Sequence, residues 1–334
     1  MSRPEPGDRT GELIAGGDLD ELVRHVDHLC FDDDWDGLVD LRDRARRALE
    51  RGRQLWPAAS LAEYRLALEA PGRWAASVLV PGAGRFALGP LPEVAAQSHA
   101  WADLAAHVPA GPEATFTAHE RVVRGEDVTG AERIDPGVLE LPLRREPWEP
   151  DYPVAFYGAD EAQFPERPAT SLSPVELDEP VPTVADLDAT DALTELAGAW
   201  STESNGRARA VAVVGDAGDA LATLAGGKSY VRLAAVELDE ALSAMAWAAA
   251  SGGAHGRRRG MATGRFGAWW ALTALTLGLD RWPPPPELLG EAASDLRWYR
   301  WEPATGPSTG WALRLAVEDP DRCRAWAVDA VDHA

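Results

Sequence analysis

The chain has 334 residues, 46 % of them hydrophobic, enough to bury a sizeable core over roughly two domains. Its 54 acidic and 32 basic side chains leave a net charge of −22. A field of that sign repels nucleic acid and anionic lipid, so only a local patch could approach either. Cys30 and Cys323 stand far apart without ligand-like spacing. They imply no disulfide framework and no thiolate metal site, and a reducing, cytoplasmic location is the expectation.

The chain opens MSRPEPGDRT, polar and without an apolar core, so no signal peptide is expected. Residues 18 to 130 are expected to form a helical domain. Leu38, Leu41, Ala45, Ala48 and Leu49 recur at three- and four-residue steps, and Leu61, Tyr64 and Leu68 repeat the pattern. Asp34 or Asp36 is placed to cap the first of these helices and Gly52 to end it, while Pro57 fits the first turn of the next. Asp32, Asp34, Asp36, Gly37, Asp40 and Asp43 fall at the positions of an EF-hand calcium loop. Position twelve is Asp rather than Glu and no second loop exists, so acids at a helix N-terminus explain them better. His25, His28 and Cys30 make half a metal site at most.

Residues 131 to 183 form the next segment, and 134 to 183 hold ten prolines in fifty residues. That density forbids continuous helix and central strand. The segment also carries Leu139, Trp148, Tyr152, Phe156 and Phe164, which a free linker would not need, so an extended strap is expected, with a linker as the alternative.

From 184 to 334 a Trp-rich α+β domain is expected. Ala189 to Trp200 and Asp219 to Leu224 fit helices; Ala210 to Val214, Tyr230 to Val236, Arg297 to Glu302, Gly310 to Glu318 and Ala325 to Asp332 fit strands, the last three as an antiparallel meander. The fold class is therefore α+β: a helical N-terminal domain, then an α+β domain with an antiparallel sheet and a central helical hairpin. GGKS at Gly226 to Ser229 is not a P-loop, because Ala222 stands where the first Gly is needed and a strand follows. Trp298 and Trp301, three apart on one strand, face opposite sides, and one of them is expected to be exposed.

The hairpin is marked by 39 residues, Ala241 to Leu279, without one Asp or Glu, where about six would be expected. Its apolar arms surround SGGAHGRRRGMATGR. With a helix running from about Gly256, a stripe of Gly256, Gly260, Gly264 and Ala268 packs closely against something, and Arg258, Arg265 and Trp269 line a neighbouring face. A helix N-terminus after Gly252 and Gly253 offers free amides to a phosphate or carboxylate. The candidate anion site is thus His255, Arg257, Arg258, Arg265 and Trp269. The competing expectation is that the stripe meets another helix and the arginines pair with internal acids.

The stretches SGGAHGRRRG, GRFGAWWAL, LRWYRW and TGWALRLAVEDP, with DWDGLVDLRDRARRALERG and QLWPAAS, resemble an actinobacterial protein family of unknown function over most of both domains. The resemblance implies no activity. No catalytic constellation, cofactor motif or paired metal ligand set is present in the sequence. Two functions follow as expectations: a soluble, non-catalytic association or regulatory protein with a protein partner, or an enzyme or sensor of an anionic small molecule. Neither involves nucleic acid or a membrane.

Overall fold

The computed structural model describes residues 8–166, 170–305 and 310–333. The chain is α+β and divides into two compact units, one of Met1–Arg121, Gly130–Val138 and Ala155–Gln163, the other of Val122–Thr129, Leu139–Val154 and Phe164–Ala334. The proline-rich segment is thus shared between them.

The first unit holds α1 (Arg9–Gly16), α2 (Leu19–Phe31), α3 (Trp35–Glu50), α4 (Trp56–Glu69), α5 (Gly72–Ala76), α6 (Leu91–Ser98), α7 (Trp101–Ala105) and most of α8 (Pro112–Val123). Aspartates start three of them: Asp8, Asp18 and Asp34 accept the amides of Gly11, Glu21 and Gly37 at 2.8–3.0 Å. Leu38, Leu41, Ala45 and Ala48 are fully buried, as their spacing predicts, while the Leu49 side chain lies outside the described ones. Burying each leucine contributes roughly 1.5–3 kcal/mol. α4 lies at the centre, buried at ten of the eleven positions from 58 to 68, Leu61 being the exception. After the short α9 (Pro136–Leu139), β1 (Phe156–Tyr157) and β2 (Ala162–Gln163) form a small antiparallel hairpin. Gln97 of α6 brackets it, donating to the Tyr157 carbonyl at 2.8 Å and accepting the Tyr157 amide at 2.7 Å.

The second unit is built on six antiparallel strands in the order β3-β5-β6-β7-β8-β4: β3 (Ser173–Leu177), β4 (Arg207–Val214), β5 (Ser229–Val236), β6 (Arg297–Pro303), β7 (Trp311–Asp319) and β8 (Arg324–Asp332). Pro174 sits in an edge strand, where a missing N–H costs nothing. α12 (Ala217–Ala225) packs on one face over Val213, Val231, Trp301, Ala316 and Ala327. On the other face lie α10 (Leu187–Glu195), α11 (Gly198–Glu203), α13 (Leu238–Ala250) and α14 (Met261–Thr276), followed by a 3-10 turn (Leu279–Arg281) and α15 (Pro286–Ser294). Both sheet faces are covered, so Trp298 and Trp301 are 2 % and 7 % exposed and neither emerges, contrary to the sequence expectation.

α13 from Ala241 onward and α14 form the acid-free hairpin. Gly264 touches the Ala246 carbonyl so closely that a Cβ would lie 2.3 Å from it, and a Cβ on Gly267 would lie 2.8 Å from that of Ala249. The small-residue stripe is real, but it begins later than its periodicity implies. α14 starts at Met261 after Gly260, whose φ of +93° breaks the helix, and 252–260 is a loop. The GGKS segment is the end of α12, with Gly226 in the left-handed region, leading into β5. Among the described residues no helix is long and apolar enough to cross a membrane.

Candidate functional site

The five residues singled out by sequence fall into two environments. His255 and Arg257 are exposed on the 252–260 loop, where their amides donate to Ser204 Oγ at 3.1 Å and Glu203 Oε2 at 3.4 Å. Arg259 pairs with the same Glu203 at 3.0 Å. Its guanidinium, against a small effect of burial, holds the Glu203 carboxyl below the usual carboxylate range. Arg258 lies 5.5 Å over the Phe164 ring. The loop is pinned underneath by Asp332, fully buried, whose Oδ2 accepts the Ala254 amide at 2.6 Å.

Arg265 and Trp269 lie elsewhere, inside the core. Arg265 is fully buried and grips Glu149 with two bonds of 2.7 Å, while its remaining donors reach the carbonyls of Pro142 and Arg144 at 2.9 Å. Glu149 also accepts from the Glu146 amide at 2.9 Å, Tyr152 at 2.6 Å and Trp269 Nε1 at 3.0 Å. Burial pushes the Glu149 carboxyl up, but Arg265 and the other donors outweigh it, so it stays below its ordinary value and ionised. The same burial, with the charge of Glu149, drives Tyr152 well above the usual phenol range. Each Arg265 nitrogen that an anion would need already donates to an internal acceptor. This constellation anchors Leu139–Val154 to α14, and an external anion at Arg265 would have to expel Glu149 from a dry site.

The aspartates of the calcium-like spacing also disperse. Asp34 caps α3, Asp36 accepts from Trp74 Nε1 at 2.9 Å, Asp40 pairs with Arg44 at 2.8 Å and Asp43 with Arg42 at 2.7 Å. Among the described residues no three His, Cys, Asp or Glu side chains converge as metal ligands. His25 bonds Thr10 at 3.1 Å and His28 meets Asp32 at 3.5 Å. Both cysteines are free. Burial pushes the Cys30 thiol up to about 12, whereas Cys323 is exposed.

Unneutralised positive charge gathers instead in the helical unit. A cleft of about 620 Å³ is lined by Gly11, Ile14 and Ala15 of α1, by Arg44 and Arg47 of α3, and by Arg51 and Arg53 in the following turn. Among the described residues no carboxylate lines it. Arg44 is held by Asp8 at 2.7 Å and by Asp40. The other three have no carboxylate partner among the described residues: Arg47 donates to the Asp43 carbonyl at 3.1 Å, Arg53 to the carbonyls of Ile14 and Ala15 at the end of α1, and Arg51 to nothing. Gly17, at φ +73°, ends α1 in the left-handed region that favours glycine. Guanidinium groups spread over one concave surface present forked donors to phosphate or carboxylate oxygens.

Sequence reasoning passed over this cleft. The signal was available, since 42–53 holds six arginines against two acids. It was indistinguishable from a solvated amphipathic face until α1 was seen packed beside α3.

The chain matches the model of a family of unknown function, DUF6183, over residues 20–334. No curated protein and no solved structure matches it.

Proposed function

The chain belongs to this family of unknown function, and from that premise we propose a regulatory protein whose helical unit binds an anionic, phosphate-bearing small molecule between Arg44, Arg47, Arg51 and Arg53. One observation carries the reading: three arginines without carboxylate partners among the described residues share a cleft on a chain of net charge −22, where acids to pair them are abundant. Mutual repulsion of these cations weakens the empty cleft, and a bound dianion relieves it. The overall negative field favours a small anion over a nucleic acid, whose many phosphates would meet the acidic remainder of the surface. A regulatory role is preferred to a catalytic one because the cleft supplies cations and apolar contact but no nucleophile or general base. Its two free thiols favour a reducing compartment, the cytoplasm.

Association with a protein partner, the other expectation, has exposed Phe31 and Phe156 in its favour, at 86 % and 58 %. Scattered apolar side chains are normal on protein surfaces, so the anion reading leads. The segment 252–269 is proposed as architecture, with Arg265 and Trp269 serving the Glu149 anchor.

Calorimetric titration with inorganic pyrophosphate tests the proposal. Saturable binding is expected, at least tenfold weaker in R47E/R51E, with a rise in melting temperature that follows ligand concentration. Absence of binding at millimolar pyrophosphate, or equal affinity in the variant, would discard it.

A further inference from the structure

The same unit contains a second cavity of about 580 Å³, bounded by α3, the first turns of α4 and the irregular turn at 81–89. Its chemistry differs from that of the arginine cleft. Trp56 and Phe86 meet at 3.7 Å between ring centroids, inclined by 35°, and Phe86 is still 51 % exposed. The exposed part of the ring, beside the cavity and next to Trp56, offers a stacking surface. Arg85 stands 5.6 Å over the same ring and has no acid partner among the described residues.

The cavity wall is built to hold its shape. Glu63 is 1 % exposed, accepts the Gly84 amide at 2.6 Å and pairs with Arg46. Gly84 is at φ +66° and would place a Cβ 2.5 Å from Leu91, so only glycine brings that amide to the carboxylate. Two neutral groups, the Gln54 amide and the Ser60 hydroxyl, also line the space, and neither makes a side-chain hydrogen bond among the described residues. A stacking surface, a cation at its rim and neutral hydrogen-bonding groups on a fixed wall are the elements of a small-molecule site.

We propose that this cavity binds a planar aromatic ligand with one anionic substituent, its ring stacked on Phe86, its charge on Arg85 and its ring edge at Gln54 and Ser60. The aromatic faces select for a ring, and Arg85 selects for the acid. The inference does not rest on the arginine cleft, which offers no aromatic side chain.

The test is calorimetric titration of the full chain with adenosine 5′-monophosphate and with indole-3-carboxylate, in wild type, F86A, R85E and R47E/R51E. Binding of at least one probe is expected, weakened tenfold or more by F86A and by R85E and unchanged by R47E/R51E. Preference between the probes identifies the anionic group as phosphate or carboxylate. R85E, at an exposed side chain, should keep the wild-type unfolding midpoint, and F86A, which gives up the Trp56 contact, should stay folded with a slightly lower one, so that binding lost in both is local. Neither probe binding at millimolar concentration, binding indifferent to F86A and R85E, or binding abolished only by R47E/R51E overturns the proposal. Pyrophosphate binding is read separately, so this site and the arginine cleft can fail independently.

Discussion

Arg265 and Glu149 show how a buried charge is tolerated: two guanidinium bonds and three further donors replace the water that each group gave up. Removing one partner leaves the other uncompensated at 0 % side-chain exposure. E149Q and R265M are each expected to destabilise the native state by about 3–5 kcal/mol in urea unfolding, and the double replacement E149M/R265M by less than either. The carboxyl is held below its ordinary 4.5 in the folded state. Its contribution is therefore complete above that value and is lost as pH falls through the lower folded pKa. Wild type should lose stability below about pH 4.5 more steeply than E149Q, in paired urea titrations across that range. The thiols make a second contrast at this scale. Disulfide-exchange reagent at mildly alkaline pH should label Cys323 rapidly in the native protein and Cys30 only after unfolding.

At the scale of elements, strand alternation and helical spacing were legible because each records one local period. The strands expected at 210–214, 230–236, 297–302, 310–318 and 325–332 appear within a few residues as β4 to β8. The start of α14 was not legible. A glycine every four residues is compatible with helix, and only packing decides whether Gly260 takes a positive φ. A matched pair of substitutions separates propensity from packing. G16A, at the end of α1 with nothing within 4 Å, should gain up to about 1 kcal/mol from the unfolded-state entropy it removes. G264A has the same intrinsic advantage, about 1 kcal/mol, but drives a methyl into the Ala246 carbonyl. A net loss of about 2 kcal/mol, seen as a drop of several degrees in melting temperature, is expected.

For the whole molecule, a net charge of −22 makes electrostatics act in two directions. Self-repulsion of surface acids opposes the compact state, and salt screens it. The arginine cleft works by attraction, and salt screens that as well. Raising ionic strength from about 0.05 to about 0.5 M is therefore expected to increase the melting temperature of the free protein and weaken pyrophosphate binding in the same experiment. Binding that strengthens with salt would show that the anion is held by something other than the arginines.

The sequence by itself determined the α+β class, the buried hairpin and the alternation of the closing strands, because burial and secondary structure leave their periods in neighbouring residues. It also marked where arginines cluster. It left open which arginines are neutralised, since an ion pair joins residues as distant as Glu149 and Arg265, and no local period records that choice. Only the tertiary structure decided it: the fold brings a carboxylate to Arg265, hands Arg259 to Glu203, and leaves Arg47, Arg51 and Arg53 around a cleft with none among the described residues. A charge acquires its role from what the chain places within a few ångströms of it.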